Sequence, residues 1–301
     1  MQTFTTPTKT RVIVTNPVGD VEILAQGSGT TTVDLAPRGQ DGEAIEAETV
    51  VTCTEANGVS VVSVILPGQR SFVKRRSSLD VLVTAPEGVD VVVSTAGSER
   101  SIMSFARGAG QIRLRGTMGD VDIALPSADV SAQSVSGSLG VKTASGDLEV
   151  DAVDGPVKVR SVSGDVSIDT LNDDASITLV SGDVSITTAK DHVDLTSVSG
   201  DVTITDAHAG ASVKSTSGDV TVRRAWSGSV RVATVSGDVV VGIPPGRGVS
   251  VDARSMSGDL SSEIDLDGDR GGDAGDGTVV RVTAHSVSGD VEILRAAAAT
   301  A

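Results

Sequence analysis

Between Asp147 and Val241 apolar and polar residues alternate in short runs, and the runs return at a fixed interval. In Pro156-Val157-Lys158-Val159-Arg160-Ser161-Val162-Ser163-Gly164-Asp165-Val166-Ser167-Ile168, the apolar pair Val157/Val159 recurs nine residues later as Val166/Ile168. Alternation of Val or Ile with Lys, Arg, Ser or Asp predicts strands with one buried face. Each half-repeat is then one strand of about five residues plus a corner. The corner phrase Ser-Gly-Asp places its Asp at Asp147, Asp165, Asp183, Asp201 and Asp219, always 18 residues on, and then at Asp238, Asp259 and Asp290 as the spacing loosens. Gly suits a tight turn that needs φ > 0, and the short side chains of Ser and Asp can bond local backbone N–H groups.

A fixed period marks a repeat architecture. Val166, Val184, Val202 and Val220 form one column and Ile168, Ile186, Ile204 and Val222 a second. Val162, Val180 and Val198 form a third, and Leu171, Ala189, Ala207 and Ala225 close the other corner. Two arrangements fit. If each 18-residue unit is one coil of a β-solenoid, like positions stack at the strand spacing of about 4.8 Å around a Val/Ile/Ala core. If each Ser-Gly is a hairpin turn, the chain is an antiparallel meander or sandwich. Column identity at 18 residues, with small residues at both corners, favours the solenoid. The expected fold is therefore all-β, a β-helix-like stack of two-strand repeats with an irregular β N-terminal part.

The repeat grammar spans the chain. Gly19-Asp20-Val21-Glu22-Ile23-Leu24 recurs word for word at Gly289-Asp290-Val291-Glu292-Ile293-Leu294. Residues 1–115 are expected to form an irregular capping part, in which strands over Ala44 to Thr54 and Gly58 to Leu66 flank Asn57-Gly58, a strong hairpin signal. Such a hairpin would cover strand edges at the N-terminal end of the stack. Residues 116–295 form the regular body, opening at Met118-Gly119-Asp120 and turning at Gly242-Ile243-Pro244-Pro245-Gly246, since Pro cannot continue a central ladder. Two further coils follow, ending at Ser257-Gly258-Asp259 and Ser288-Gly289-Asp290, with an acidic insertion over 264–278 between them. Residues 296–301 are expected to be a disordered tail. No polar linker divides the chain, so one elongated body is expected.

Composition sharpens this. There is no Tyr, one Trp (Trp226) and three Phe (Phe4, Phe72, Phe105), so no bulky aromatic core is available, and a narrow solenoid needs none. The net charge of −16 is uneven: 11 Lys and Arg stand against 12 Asp and Glu through residue 115, and 13 against 28 beyond it. The acidic body argues against nucleic acid and against direct attraction to anionic lipid. The single cysteine, Cys53, can make no internal disulfide. The opening residues lack the apolar stretch of a secretory signal, and no run approaches the length of a transmembrane helix. A cytoplasmic protein is expected, with the cell surface as the alternative if an export route exists outside these signals.

Candidate chemistry is sparse. In the acidic insertion, Asp265, Asp267, Asp269, Asp273 and Asp276 stand at relative positions 1, 3, 5, 9 and 12, in the manner of an EF-hand calcium loop. Arg270 occupies the place of the sharp-turn Gly, Asp276 that of the bidentate Glu, and strands flank the loop, so the competing expectation is a mobile acidic loop with no cofactor. The corner aspartates would either cap backbone N–H groups or line up divalent ions. The one basic cluster, Arg70, Lys74, Arg75 and Arg76, would dock an acidic partner or a lipid headgroup, or is a solvated loop; Arg107, Arg113 and Arg115 join it only if the fold brings them there. Membrane association is expected through that cluster or through a partner alone. His192, His208 and His285 occur singly, without metal-ligand spacing or a nucleophile elbow.

The phrase Ser-Val-Ser-Gly-Asp-Val-x-Ile, at Ser161 to Ile168, Ser197 to Ile204 and Ser286 to Ile293, resembles the bacterial β-strand-repeat family of candidate adhesins called Toastrack, as does Val18 to Ile23. The resemblance covers nearly the whole chain. It implies a stacked β-repeat fold, no established enzymatic activity, and a role in adhesion or in assemblies tied to envelope stress. No catalytic residues come with the family. The expectation for function is a non-enzymatic scaffold that presents a rigid acidic surface to a protein partner; the alternatives are a surface adhesin or a calcium-dependent module.

Overall fold

The computed structural model describes residues 1–7, 9–27, 29–67, 77–95, 110–264 and 279–296. The chain divides into two compact units, residues 1–155 with 159–162, and residues 156–158 with 163–301.

The first unit opens with β1 (Gln2–Thr5), β2 (Lys9–Thr15), β3 (Val21–Ala25) and β4 (Thr30–Arg38), then helix α1 (Gly42–Glu48). It continues through β5 (Val50–Ala56), β6 (Val59–Ile65), β7 (Ser78–Ala85), β8 (Val89–Ser94), β9 (Gln111–Ser127), β10 (Asp129–Val135), β11 (Leu139–Ser145) and β12 (Leu148–Val153). β13 (Val157–Ser163) gives residues to both units. The pairing does not follow chain order. β2 lies parallel between β6 and β8, and β3 parallel between β7 and β9. The coil built from β2 and β3 is thus held between two coils that come later in sequence. Antiparallel strands cover the outer side, β5 on β6, β4 on β7 and β1 on β4. The hairpin at Asn57-Gly58 forms, with both residues at positive φ as the two-residue turn requires. The strand expected from Ala44 begins only at Val50, because Gly42–Glu48 is helical. Its Ala and Glu residues are good helix formers, and Ile45 is the apolar residue it buries.

The second unit runs through β14 (Val166–Leu171), β15 (Ala175–Ser181), β16 (Val184–Ala189), β17 (Val193–Ser199), β18 (Val202–Ala207), β19 (Gly210–Ser217), β20 (Val220–Ala225), β21 (Ser229–Ser236) and β22 (Val239–Ile243). It ends with β23 (Gly248–Ser257), β24 (Leu260–Ser262), β25 (Val279–Ser288) and β26 (Val291–Arg295). Strands pair in parallel with the strand one coil on, so Val184, Val202 and Val220 are neighbours, as are Ile186, Ile204 and Val222. This is the solenoid register; a meander would pair consecutive strands antiparallel. Ile186, Ile204, Val222, Ala189, Ala207 and Ala225 are fully buried, as their columns require.

One column differs from expectation. Val180 and Val198 face solvent, and the residues before them, Leu179 and Ser197, face the core. Alternation explains it: from Val193 and Leu195 the inward parity lands on Ser197, which puts Val198 outside. The buried column continues as Ser215, Thr234 and Ser286. At Ser197, Ser215 and Thr234 the hydroxyl is tolerated because it donates to the carbonyl two residues on, as Ser215 Oγ does to Ser217 O at 3.3 Å, whereas the buried Ser286 hydroxyl has no hydrogen-bond partner among the described residues.

The last two coils also exchange places. β25 lies between β21 and β23, and β26 between β22 and β24. The later coil is the more apolar, and its Val280, Val282 and Ala284 are fully buried. The coil of β23 and β24 takes the outer position and leaves Met256 and Leu260 exposed. A position covered on both sides favours the more apolar of two candidate coils. The duplicated Gly-Asp-Val-Glu-Ile-Leu therefore marks equivalent situations, since β3 and β26 each lie between two parallel neighbours.

Candidate functional site

The Ser-Gly-Asp corner of the second unit is built from stacked rows. The first is an exposed aspartate ladder. Asp183 N–H donates to Asp165 Oδ1 at 2.9 Å, Asp201 N–H to Asp183 Oδ1 at 2.8 Å, and Asp219 N–H to Asp201 Oδ1 at 2.9 Å. It continues from Asp238 to Asp219, Asp290 to Asp238 and Asp259 to Asp290, each at 2.8 Å. Each carboxylate thus caps the backbone of the next coil. The first unit has its own version, in which Asp120 N–H donates to Asp90 Oδ1 at 3.1 Å and Ser138 N–H to Asp120 Oδ1 at 2.9 Å. Those bonds from Ser138, backbone first and then hydroxyl, hold Asp120 below the ordinary carboxylate range. Along most of the second unit's ladder the glycine before the aspartate is forced by space and by conformation: at Gly200 φ is +120°, and a Cβ would meet the Gly182 carbonyl oxygen.

The next row is apolar except at Thr216. Each member precedes one of the register-matched serines Ser181, Ser199, Ser217, Ser236, Ser288 and Ser257. In stacking order the row reads Val180, Val198, Thr216, Val235, Val287, Met256. The valines are 44 to 50% exposed and Met256 84%. Single exposed apolar residues are ordinary, but a row broken only at Thr216 is the kind of patch that marks an interaction site.

Beyond the valine row, two residues back along each strand, run the paired positions Thr178, Thr196, Lys214, Ala233, His285 and Arg254. The next row out holds Asp194, Ser212, Arg231, Thr283 and Asp252, and the one beyond places Arg281 beside Ser229 and Ser250. Lys214, Arg231, Arg281 and Arg254 are all exposed on this face, where Arg254 Nε bonds Asp252 Oδ1 at 3.1 Å. The valine row therefore has a negative border at the corner and a positive border across β19, β21, β25 and β23, within a chain whose net charge is −16.

The opposite corner carries a second polar cluster. Arg224 donates twice to Asp206, from Nε to Oδ1 and from Nη2 to Oδ2, both at 2.6 Å, and Trp226 Nε1 donates to Asp206 Oδ1 at 2.8 Å. The His208 and Trp226 rings stack with centroids 5.8 Å apart. The Arg224 hydrogen bonds hold Asp206 below the ordinary carboxylate range, and Asp206 in turn raises Arg224. These residues looked isolated in sequence; the signal that joins them is the 18-residue offset from Asp206 to Arg224 and from His208 to Trp226. The carboxylate is committed to Arg224 and Trp226, so the cluster pins one corner. His192 Nε2 lies 3.6 Å from Asp194, and His285 stands on the outward face of β25.

Asp265, Asp267, Asp269, Asp273 and Asp276 lie outside the described residues, as do Arg70, Lys74, Arg75, Arg76 and Arg107. Arg113 and Arg115 are directed to acids on or beside β3, to Asp20 at 3.9 Å and Glu22 at 3.2 Å. Among the described residues no three His, Cys, Asp or Glu side chains are grouped to hold a metal, and no helix is long and apolar enough to cross a membrane.

The repeat geometry agrees with comparison to known families: the family described as Toastrack DUF4097 matches residues 51–206 and again 141–294. The chain belongs to the Toastrack family. The two matches overlap over residues 141–206. Among solved structures, this Toastrack chain is similar to a candidate cell adhesion protein from Clostridium sporogenes, at 11% identity over 98% of each chain with a TM-score of 0.24. It is also similar to candidate adhesins from Bacteroides fragilis, at 13% identity with a TM-score of 0.35, and from Parabacteroides distasonis, at 9% identity with a TM-score of 0.36. In both cases 97% of this chain and 95% of the other are covered. No curated protein matches.

Proposed function

We propose that this Toastrack protein is a non-enzymatic scaffold, whose repeat body presents the valine row and its charged borders to a protein partner. The observation that carries the proposal is the row itself. Stacked parallel strands place Val180 beside Val198 and Val235 beside Val287 on the outside, with Thr216 between the two pairs and each valine about half exposed. A rigid ladder suits recognition because binding it costs little ordering of the backbone. The working location is the cytoplasm, with display at the cell surface as the alternative. The lone thiol of Cys53 supports this weighting, since the fold needs no oxidising compartment to close a disulfide.

Capture from cell lysate on the immobilised full chain tests the proposal, with Val198→Asp/Val235→Asp as the comparison. A partner retained by the wild type and lost from the folded variant is the expected result. Equal capture by both, or none above background, counts against a scaffold that works through this face.

A further inference from the structure

We propose that the valine row is also the contact through which two copies of this chain associate, about a two-fold axis parallel to the row. This rests on the valine row being an interaction surface, and adds what occupies it. The row carries its own complement. On one side stand Asp219, Asp238, Asp290 and Asp259 of the corner ladder. On the other, at the same four levels but spread over three successive rows, stand Lys214 and Arg254 nearest the valines, then Arg231 with Asp252, then Arg281.

Symmetry decides which docking uses this pattern. A two-fold in the interface and parallel to the row exchanges left for right and keeps each coil at its own height. At the levels of β19, β21, β25 and β23 each Asp ladder then faces the other copy's basic border, at the levels of β15 and β17 it faces Thr178 and Thr196 with Asp194 beyond, and every row residue meets its own counterpart. A two-fold perpendicular to the row reverses the stacking order and lays Asp ladder against Asp ladder, and such like-charge juxtaposition across an interface is costly. A contact with the same patch used by both copies is the isologous type that closes as a dimer. The apolar strip between the charged borders, Val180, Val198, Val235, Val287 and Met256, is the part that loses water when the rows meet.

Sedimentation velocity of the full chain over a concentration series tests this, together with cross-linking by a short bismaleimide in a Cys53→Ala background. A species of twice the 30.3 kDa chain mass is expected. Val198→Asp/Val235→Asp should sediment as monomer while keeping the wild-type circular dichroism spectrum. Should that variant not fold, Lys214→Glu/Arg231→Glu, which alters only exposed positions, should weaken dimerisation by about tenfold or more, as removal of charge complementarity does. Val180→Cys and Met256→Cys should each cross-link to their own kind, at both ends of the row. A chain that stays monomeric up to about 100 µM, a concentration that captures even weak dimers, would overturn the proposal. So would cross-linking of Val180→Cys to Met256→Cys in a mixture without self-linking of either. The scaffold reading fails separately: a monomeric chain that still loses a captured partner on Val198→Asp/Val235→Asp keeps the scaffold and sinks the dimer, and a dimer with no captured partner does the reverse.

Discussion

At the scale of single residues, the corner phrase has a distinct job for each letter. Asp201 accepts the Asp219 N–H at 2.9 Å, so Asp201→Ala should lower the unfolding free energy by about 1 kcal/mol, the usual worth of one such bond. Asp201→Asn, which keeps a carbonyl acceptor, should lose less in the same urea titration. Gly200→Ala should be far worse, by several kcal/mol, because it adds a Cβ against backbone at φ +120°. The Asp206 and Arg224 pair gives a pH signature. Hydrogen bonds from Arg224 lower Asp206 from the ordinary aspartate value of 3.8. The folded state therefore binds that proton less readily than the unfolded chain. The stability it contributes is complete above 3.8 and is lost as pH falls below that value through the lowered native one. Unfolding free energies measured from about pH 6 to pH 2 should fall more steeply for the wild type than for Asp206→Asn. Capping by Asp and turning by Gly were legible in the sequence, since both follow from residue type. The Trp226, His208, Asp206 and Arg224 cluster was not, because it forms only between coils.

At the scale of the strand, parity decides what a side chain does. Ile204 is fully buried between Ile186 and Val222, so Ile204→Ala should cost about 2 to 5 kcal/mol, the range for large-to-small core changes. The Val/Ile columns and the alanine corner were readable because apolar residues at a two-residue period admit one inside. The valine after Ser197 misled for a physical reason. Hydrophobicity alone places Val198 in the core, whereas the pleat carries Ser197 there, and a hydroxyl that can reach a nearby carbonyl makes the substitution tolerable. Helix α1 was hidden by the strands around it, though its Ala and Glu content is a helical signal.

At the scale of the whole molecule, each unit draws one coil out of chain order. Periodicity fixes what each coil looks like and leaves open which coil lies next to which, so this exchange could not be read from spacing. It has a mechanical consequence in the second unit. The coil of β25 and β26 joins β21 and β22 to β23 and β24. In a repeat stack stability passes between nearest neighbours. A chain truncated after Ile264 should therefore lose amide protection throughout β23 and β24, although those strands remain in the sequence, while β15 to β18 keep theirs; hydrogen exchange read by mass spectrometry distinguishes the segments. Protection of β23 and β24 that survives the truncation would contradict the pairing order.

The scaffold and dimer proposals both stand on the repeat's corner valine lying outside the core, and urea unfolding of Val198→Asp tests this most directly. At protein concentrations low enough that both wild type and variant are monomeric, so that loss of a dimer cannot itself lower stability, an exposed strand site should change stability by no more than about 1 kcal/mol, with an unaltered m-value. A loss of several kcal/mol, the cost of burying an unpaired charge, would place Val198 in the core and leave no valine surface for a partner to meet.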